Sequence, residues 1–280
     1  MSISIVMLCF NQLEFLHKAI HSVLLQDSVD LQLIIVDPGS TDGSREFAQS
    51  MANQDHRITL IFDSDSGPAD GLNKGFKLAQ SEIFGYLNSD DMYLPSVLKN
   101  VEKFFKLRPE ADVIYGHGLI IDEINHGKVH FAYSDEFSKS RIATGTTRIM
   151  QQSTFFRKAS IDEARICFNS ENSTCWDYEF VVDCFMAGLG FLRIDQIFGV
   201  LRIHSRSITG QNLNRKEYLV DKNRITAQFC SRYAFRSSPF QLWFSICIRA
   251  MRKFQEYSMQ NKFKHQVREF RKSENCSFME

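Results

Sequence analysis

The sequence has few of the residues that define the simplest structural classes. It holds 5 Pro and 14 Gly in 280 residues, which excludes collagen-like and low-complexity chains. Its seven cysteines are odd in number and form no CxxC pair, so neither a disulfide framework nor a thiolate zinc site is indicated. It has no overall excess of charge, with 33 Lys and Arg against 33 Asp and Glu, so no nucleic-acid partner is expected.

The sequence also offers no sign of a membrane-spanning or secreted protein. The first residues lack the basic start of a signal peptide. The longest uncharged stretch near the carboxyl end, 237–248, is shorter than the roughly 20 apolar residues that a bilayer requires. Free cysteines fit a reducing compartment. We therefore expect a cytoplasmic protein.

Balanced totals conceal a division of charge along the chain. Residues 211–280 carry 14 Lys and Arg against 6 Asp and Glu, a net charge of +8, and residues 1–210 therefore carry −8. The body is acidic and the tail is basic.

Hydrophobic patterning predicts an α/β fold in the first hundred residues. Four short apolar runs are typical of buried parallel strands, at 3–8, 33–36, 58–62 and 83–87. Helical patterns separate or follow them, near 16–24, 45–53, 70–80 and 97–105, with Pro95 expected in the first turn of the last helix. Strands joined by helical crossovers form a mostly parallel, doubly wound sheet.

The rhythm changes after the strand-like segment 112–115. Further short strands are predicted at 119–121, 129–133, 153–156 and 191–194, with a helix at 176–187, and indicate a mixed or antiparallel extension of the sheet. From about residue 214 the pattern becomes helical. We place a boundary near 210, between a body (halves 1–110 and 111–210) and a helical tail, 211–280.

The loops at the carboxyl ends of the predicted strands are rich in carboxylates. Ligands bind there in open parallel sheets. The first loop, Cys9-Phe-Asn-Gln12, has neither GxGxxG nor GxxxxGK[ST], so neither a dinucleotide nor a Walker site is encoded. Carboxylates can instead hold a divalent metal that neutralises a diphosphate. The adjacent Asp90 and Asp91 should point to different faces, because strand side chains alternate.

Six segments, in order, resemble the motifs of the family 2 glycosyltransferases with the GT-A fold, of the bacterial surface-polysaccharide type. They are Val36-Asp-Pro-Gly-Ser-Thr-Asp-Gly-Ser44, the segment 63–75, Leu87-Asn-Ser-Asp-Asp91, Gln152-Ser-Thr-Phe-Phe-Arg157, Trp176-Asp-Tyr-Glu-Phe180 and Arg202-Ile-His-Ser-Arg-Ser207. The resemblance runs from about residue 2 to 210. It implies a GT-A nucleotide-diphospho-sugar transferase fold.

The resemblance also implies roles for individual residues. It gives Asp177 the role of general base, Asp91 that of direct metal ligand, and His204 a contact to the metal or the diphosphate. Nucleotide or donor contacts fall to the remaining motif residues and to Phe10, which would stack on the base: Phe10, Asp37, Asp65, Asp70, Asn73, Lys74, Asp90, Gln152 and Ser153. Asp90 would face ribose or the donor sugar. Asp70, Asn73 and Lys74 have an equally good alternative, that of ordering their loop.

The chemistry of glycosyl transfer asks for the same residue types. A leaving diphosphate is stabilised by Mg²⁺ or Mn²⁺, and the acceptor hydroxyl needs one carboxylate as base. A single base implies direct displacement with inversion, because double displacement needs a second, nucleophilic carboxylate. The implied partners are a nucleoside diphosphate sugar, with UDP favoured, and a glycan or lipid-linked acceptor.

Other interpretations of these residues remain open. Asp177 and Glu179 suit the first turn of a helix, where the helix dipole favours acids, and a lone histidine such as His204 is more often structural than a ligand. A nucleotidyltransferase would need a Gly-rich basic first loop, which 9–14 does not provide. A non-catalytic nucleotide-sugar or glycan-binding module would have no use for a base.

The basic tail contains an apolar stripe at helical spacing. Its members are Phe240, Trp243, Phe244, Cys247, Ile248, Met251 and Phe254. A basic amphipathic helix with Trp and Phe is typical of a membrane-surface element, so 240–272 are a candidate contact with the inner face of the cytoplasmic membrane. The alternatives are a helix docked on the body or on a second subunit for 240–254, and a solvated or frayed helix for 262–272.

Overall fold

A twisted sheet forms the centre of the computed structural model. The structure describes residues 1–27, 30–207, 209–210, 215–235 and 239–277. For residues 215, 239–246, 248–249 and 274–277 it describes the backbone but not the side chains. Within these residues the strands are β1 (Ser2–Leu8), β2 (Asp30–Val36), β3 (Ile58–Ile61), β4 (Ile83–Asn88), β5 (Met92–Tyr93), β6 (Val113–Asp122), β7 (Lys128–Ala132), β8 (Thr154–Arg157) and β9 (Phe191–Ile203).

The helices alternate with the strands in the first half and follow them in the second. They are α1 (Leu13–Leu24), α2 (Ser44–Gln54), α3 (Pro68–Leu78), α4 (Val97–Leu107), α5 (Lys139–Ala143), α6 (Lys158–Ala164), α7 (Trp176–Met186), α8 (Arg215–Arg232), α9 (Pro239–Lys262) and α10 (Lys264–Ser277).

The order of the strands in the sheet is β3-β2-β1-β4-β8-β6-β9-β5, with β7 beside β6. The first four strands of the chain are parallel. β8 then runs antiparallel between β4 and β6, while β6 and β9 are parallel to each other. The predicted mixed α/β sheet is therefore confirmed. Its parallel half ends at one edge, where the carboxyl ends of β1, β2 and β4 meet.

Burial of apolar side chains explains why the first-half predictions succeed. The residues predicted to form one face of α1 are all buried against the sheet: Leu16, Ala19, Ile20, Val23 and Leu24. Burial of a complete Leu or Ile side chain contributes about 1.5–3 kcal/mol. The spacing of the apolar residues therefore identifies the face of the helix that packs against the sheet.

Two predicted strands have different bounds in the structure, and the predicted place of Pro95 is wrong. Residues 119–121 are not a separate strand, because they continue β6 past a bulge near His117. The strand predicted at 191–194 is only the start of β9, whose 13 residues reach Ile203. Pro95 is not in the first turn of α4, because Ser96 takes a left-handed conformation (φ 63°) and the helix begins at Val97.

The helices of the tail pack on the body. Ile225 and Phe229 of α8 are buried in a cluster with Ile142 of α5 and Val182 of α7. α10 and its junction with α9 cover β7, where Phe263 stacks on Phe131 with ring centroids 5.5 Å apart. Phe240, Trp243, Phe244 and Ile248 of the predicted stripe lie outside the described side chains.

Candidate active site

A cleft of about 540 Å³ opens where the carboxyl ends of β1, β2 and β4 meet. This is the position expected for ligands in an open parallel sheet. Its lining residues come from four segments of the first hundred residues and from two later ones. They are 8–10, Gln12, Val36, Pro38, Asp65, 67–68, 88–90, Trp176, 201–202, 206–207 and Thr209. Most of the segments that the sequence analysis singled out therefore border a single cleft.

Asp37 carries a buried carboxylate and stands between Val36 and Pro38, which border the cleft. Its Oδ1 accepts hydrogen bonds from the backbone N–H groups of Gly39 (2.9 Å) and Ser40 (2.7 Å) and from Nε of Arg45 (3.1 Å). Its Oδ2 is buried and has no hydrogen-bond partner among the described residues. An unpaired buried acceptor is costly, so this oxygen suits a ligand N–H. The neighbouring ring of Phe10 is 58% exposed and borders the same cleft.

Asp65 faces the cleft from the loop before α3. Its Oδ1 accepts a hydrogen bond from the N–H of Gly67 (3.0 Å), and burial raises its pKa. The first turns of α3 approach it closely, because a Cβ at Gly71 would lie 2.8 Å from Asp65 Oδ2 and 3.1 Å from a methyl of Leu8. Glycine at position 71 is what lets this helix pack against both.

Asp70, Asn73 and Lys74 use their side chains to order the loop and its neighbours. Asp70 accepts from the N–H of Ser66 and pairs with Lys74 at 3.2 Å. Asn73 exchanges two hydrogen bonds with the backbone of Phe168, at 2.8 and 2.9 Å. None of the three borders the cleft. Of the two alternatives for these residues, the geometry favours the structural one.

The two adjacent aspartates lie just beyond the end of β4, and their surroundings differ. Asp90 borders the cleft. Asp91 is fully buried, and its oxygens accept hydrogen bonds from Nε2 of Gln152 (2.7 Å) and the N–H of Arg202 (2.9 Å). Burial, followed by the charge of Asp90, raises the pKa of Asp91 well above its usual range. The geometry thus favours Asp90, rather than Asp91, for direct contact with a metal.

His204 is buried and contacts Asp90, which borders the cleft. Its Nε2 lies 3.1 Å from Asp90 Oδ2, and its ring packs on Phe15 with centroids 4.7 Å apart. No group of three or more His, Cys, Asp or Glu side chains within the described ranges is arranged to hold a metal. Mg²⁺ commonly needs only one or two protein ligands when substrate phosphates supply the others. The carboxylate of Asp90 is the kind of donor that Mg²⁺ and Mn²⁺ prefer, and the imidazole of His204 lies beside it.

Gln152 and Ser153 lie behind the cleft instead of in it. Gln152 is buried and donates to Asp91. The hydroxyl of Ser153 donates to the carbonyl of His117 (2.7 Å) and accepts from the N–H of Gly199 (2.9 Å). Gln152 therefore supports Asp91, Ser153 joins β6 to β9, and neither borders the cleft.

Asp177 lies in the first turn of α7, directly after Trp176, which borders the cleft. Burial raises the pKa of its carboxyl group above the usual value of 3.8. Its side chain accepts a hydrogen bond from the N–H of Tyr178 at 2.8 Å. A carboxylate with a raised pKa is the type of group that serves as a general base near neutral pH.

Glu179, two residues on, has a different environment. It is buried, and Arg224 of α8 pairs with both of its oxygens, at 2.6 and 2.9 Å. Hydrogen bonds from Arg224, Asn172 and Asn169 outweigh the effect of burial and lower the pKa of Glu179. Of the two acids in this helix turn, Asp177 is therefore the candidate base, and Glu179 forms a structural ion pair with Arg224.

Sequence reasoning missed several polar residues of the cleft, among them Arg206 and Ser89. Arg206 borders it, donates to Glu14 at 2.5 Å and lies over the ring of Phe15. Ser89 also borders it, and its buried hydroxyl has no hydrogen-bond partner in the described part of the chain. Both stand inside motifs already quoted, two residues after His204 and one before Asp90. Their place in those motifs was the signal that could have identified them.

Known proteins share both sequence and fold with this chain. An uncharacterized glycosyltransferase of Nostoc sp. (strain PCC 7120) is 32% identical over 130 residues, covering 44% of this chain and 40% of that protein. A putative teichuronic acid biosynthesis glycosyltransferase, TuaG of Bacillus subtilis (strain 168), is 28% identical over 159 residues, covering 54% of this chain and 63% of TuaG. The chain thus spans less than two thirds of the length of these relatives.

Solved structures share the fold at low sequence identity. Residues 1–349 of S. aureus TarS in complex with UDP-GlcNAc give a TM-score of 0.62 at 18% identity, over 84% of this chain and 73% of that one. The mannosyltransferase PcManGT of Pyrobaculum calidifontis, in complex with GDP-Man and Mn²⁺, gives 0.59 at 14% identity, over 95% and 84%.

The family model described as glycosyl transferase family 2 matches residues 4–165. This segment contains the cleft residues of the parallel half of the sheet, while Asp177 and His204 lie beyond its end. The resemblance inferred from the six motifs is confirmed: the chain belongs to glycosyl transferase family 2.

Proposed function

We propose that this protein transfers a sugar from a nucleoside diphosphate sugar to a hydroxyl group of a glycan or lipid-linked acceptor in surface-polysaccharide synthesis, with inversion. The observation that carries the proposal is one cleft bordered by the exposed ring of Phe10 and by Asp90. Next to its lining residues lie His204, which contacts Asp90, and the unpaired buried carboxylate oxygen of Asp37. Similarity to named glycosyltransferases and to TarS with UDP-GlcNAc supports the same donor class.

A uridine nucleotide suits the base end of the cleft. Uracil presents one ring N–H beside its carbonyl groups, and Asp37 has one oxygen left to accept it, since Oδ1 already accepts three hydrogen bonds. Guanine presents a ring N–H and an amino group side by side and would need both oxygens. The ring of Phe10 would stack on the base, and Asp65 lies beside it as a candidate ribose contact.

Asp90 and His204 are our candidates for holding Mg²⁺ or Mn²⁺. They supply the oxygen and nitrogen donors that such an ion accepts, and Mn²⁺ accompanies GDP-Man in the mannosyltransferase neighbour. When bound, a divalent ion stabilises the negative charge of a leaving diphosphate. Asp91 contributes by holding the end of β4 in place through Gln152 and Arg202.

Asp177 is our candidate general base. The acceptor oxygen would form its bond to the anomeric carbon as the bond from that carbon to the diphosphate oxygen breaks, and the acceptor proton would pass to Asp177. One base and no nucleophilic carboxylate correspond to a single displacement, which inverts the anomeric configuration. We assign catalysis to residues 1–210, with nucleotide contacts mainly in 1–110 and acceptor contacts in 111–210, and treat 211–280 as a tail.

Incubation of the protein with a panel of UDP-, GDP- and TDP-sugars tests the donor assignment. We expect UDP-sugars to raise the melting temperature most, and to be hydrolysed slowly when Mg²⁺ or Mn²⁺ is present but not with chelator. Binding of a UDP-sugar without hydrolysis, and without transfer to any acceptor in a glycan library, would instead indicate a non-catalytic binding module. Failure to bind any nucleotide sugar would refute the donor assignment.

We further propose that the tail contacts an anionic membrane surface, which would bring the cleft close to lipid-linked acceptors. Within the described residues no helix has the length and apolar character needed to cross a bilayer. The side chains of Phe254 and Tyr257 on α9 are nevertheless 75% and 67% exposed. The tail has a net charge of +8, and each basic residue close to an anionic leaflet contributes about 1 kcal/mol.

Replacement of exposed aromatic side chains of α9 by glutamate tests the membrane contact. We expect the full chain to sediment with phosphatidylcholine–phosphatidylserine vesicles at low salt and to be released by added salt, because the Debye length is then only about 8 Å. F254E and Y257E should weaken sedimentation several-fold. L107E, at a residue of α4 that is 61% exposed, is the matched control. Equal sedimentation of all three variants, or none by the unmodified protein, would refute the contact.

A further inference from the structure

Helix α8 connects the tail to the turn that carries Asp177. We propose that Arg224 of α8 is a positioning residue for Asp177, which acts by fixing the first turn of α7 through Glu179. This inference rests on the proposed function, because it takes Asp177 as the base. It makes the tail part of the catalytic apparatus, although α8 lies outside the segment that the family model matches.

The contact between Arg224 and Glu179 is directional. The two terminal nitrogens of the guanidinium group donate hydrogen bonds to the two carboxylate oxygens of Glu179, Nη1 to Oε1 at 2.6 Å and Nη2 to Oε2 at 2.9 Å. Nδ2 of Asn172 donates to Oε2 at 2.6 Å, and Asn169 donates to both oxygens at 3.2 Å. A bidentate, charge-assisted pair of this kind fixes orientation as well as distance. Glu179 is therefore held in one place.

A second contact holds the chain on the other side of Asp177. The hydroxyl of Thr174, just before α7, donates to Asp221 Oδ2 of α8 at 2.7 Å. Asp221 is in turn 3.4 Å from Arg224. The backbone from Thr174 to Glu179 is thus attached to α8 at both ends, with Asp177 between the two points.

Asp177 depends on the backbone for its direction. Its side chain accepts hydrogen bonds from backbone N–H groups, that of Tyr178 among them, and no side-chain donor to it is found within the described ranges. A shift of the first turn of α7 would therefore move the carboxylate with it. A misplacement of about 1 Å in an active site can reduce the rate about 10²-fold.

Arg224 also balances charge close to the candidate base. The titratable groups that face Asp177 are Tyr86 of β4, Tyr218 of α8 and Cys175, and Glu179 lies on the same helix turn. Arg224 lowers the pKa of Glu179 and also acts on Asp183, whose pKa burial raises to about 6. Without Arg224 the charge of Glu179 would be uncompensated. Nearby negative charge favours protonation of a carboxylate.

The variants R224M and R224K test this role, and E256Q is the matched control. Glu256 makes the equivalent tail-to-body pair on α9, with Arg148 at 2.6 Å, away from Asp177. We expect R224M to lower kcat by about 10- to 100-fold while the donor KM stays within about twofold. The acid limb of the kcat profile should move to higher pH. R224K cannot form two parallel hydrogen bonds, so its kcat should lie between that of R224M and that of the unmodified protein. E256Q should match the unmodified protein.

Hydrogen–deuterium exchange of residues 172–180 gives a readout that is independent of transfer. We expect exchange at the start of α7 to accelerate in R224M and R224K but not in E256Q. Unchanged exchange with unchanged kcat, or a kcat loss no larger than in E256Q, would overturn the positioning role. Should R224M fail to fold, R224K decides by the same two measurements. A protein that transfers no sugar while the exchange result holds would refute the proposed function and leave the contact established.

Discussion

Replacement of Asp90 by Asn is expected to abolish sugar transfer, with kcat/KM reduced by at least about 10³-fold. The reason is that Asp90 is the carboxylate that borders the cleft and meets His204, and stabilisation of a leaving diphosphate by a metal is worth several kcal/mol. The melting temperature should change little. Metal-dependent binding of the donor, measured by calorimetry with and without Mn²⁺, should weaken in parallel with activity.

Asp91→Asn is the matched comparison for this experiment, because it removes a carboxylate one residue away. Asp91 accepts hydrogen bonds inside the protein, so loss of an acceptor should lower the free energy of unfolding by about 1–3 kcal/mol. Its effect on metal-dependent donor binding should be small. If D91N kept its stability and lost metal-dependent binding while D90N retained it, the metal contact would return to Asp91, as the sequence alone suggested.

The contrast between these two aspartates shows how far a sequence can assign roles. Alternation along a strand predicts different surroundings for neighbours, and the surroundings of these two differ, although both lie beyond the end of β4. It does not say which of the two borders the cleft, because that depends on Gln152, just before β8, and Arg202 of β9, which reach Asp91 from far along the chain. Contacts between distant segments are therefore where residue-by-residue transfer from a motif is weakest.

The first half of the fold was predictable because local and tertiary signals agree there. Short apolar runs became β1 to β4, and the helix stripes became buried faces of α1 and α4. The fold of the second half was less predictable. β6 and β9 support each other over ten and 13 residues through a bulge near His117. Their glycines and polar residues interrupt the apolar pattern, so pairing between the strands, rather than local preference, extends them.

The tail illustrates a different limit. The sequence predicts that the tail is helical, but it does not predict which part of the body the tail packs against. Ile225 and Phe229 pack into a cluster that includes residues of α5 and α7, and Arg252 pairs with the buried Asp135 at 2.8 Å. Part of the basic charge is therefore committed to the body, which no count of charges along the sequence reveals. The exposed fractions of Phe254 and Tyr257 show which side of α9 stays free for another surface.

Replacement of Asp177 by Asn should leave donor binding intact and reduce kcat by at least about 10²-fold, because only removal of the acceptor proton is lost. The pH dependence supplies a second signature. A base must be deprotonated to act, and burial raises the pKa of Asp177 above 3.8. In the unmodified protein kcat should therefore fall as the pH drops through this raised pKa, while the residual rate of D177N should show no such limb.

Asp183→Asn separates this effect from the loss of any carboxylate on the same helix. Burial raises the pKa of Asp183 to about 6, so it too titrates in the range where an acid limb would appear. Asp183 lies in the last turn of α7, away from the cleft residue Trp176 that precedes Asp177, and D183N should keep both kcat and its acid limb. Should D183N abolish the limb while D177N retains it, the titration would belong to Asp183. A loss of donor affinity in D177N with little change in kcat would move Asp177 to the nucleotide site. A single base whose removal slows only the chemical step is what an inverting transfer requires, because the acceptor proton has one place to go as the bond to the anomeric carbon forms.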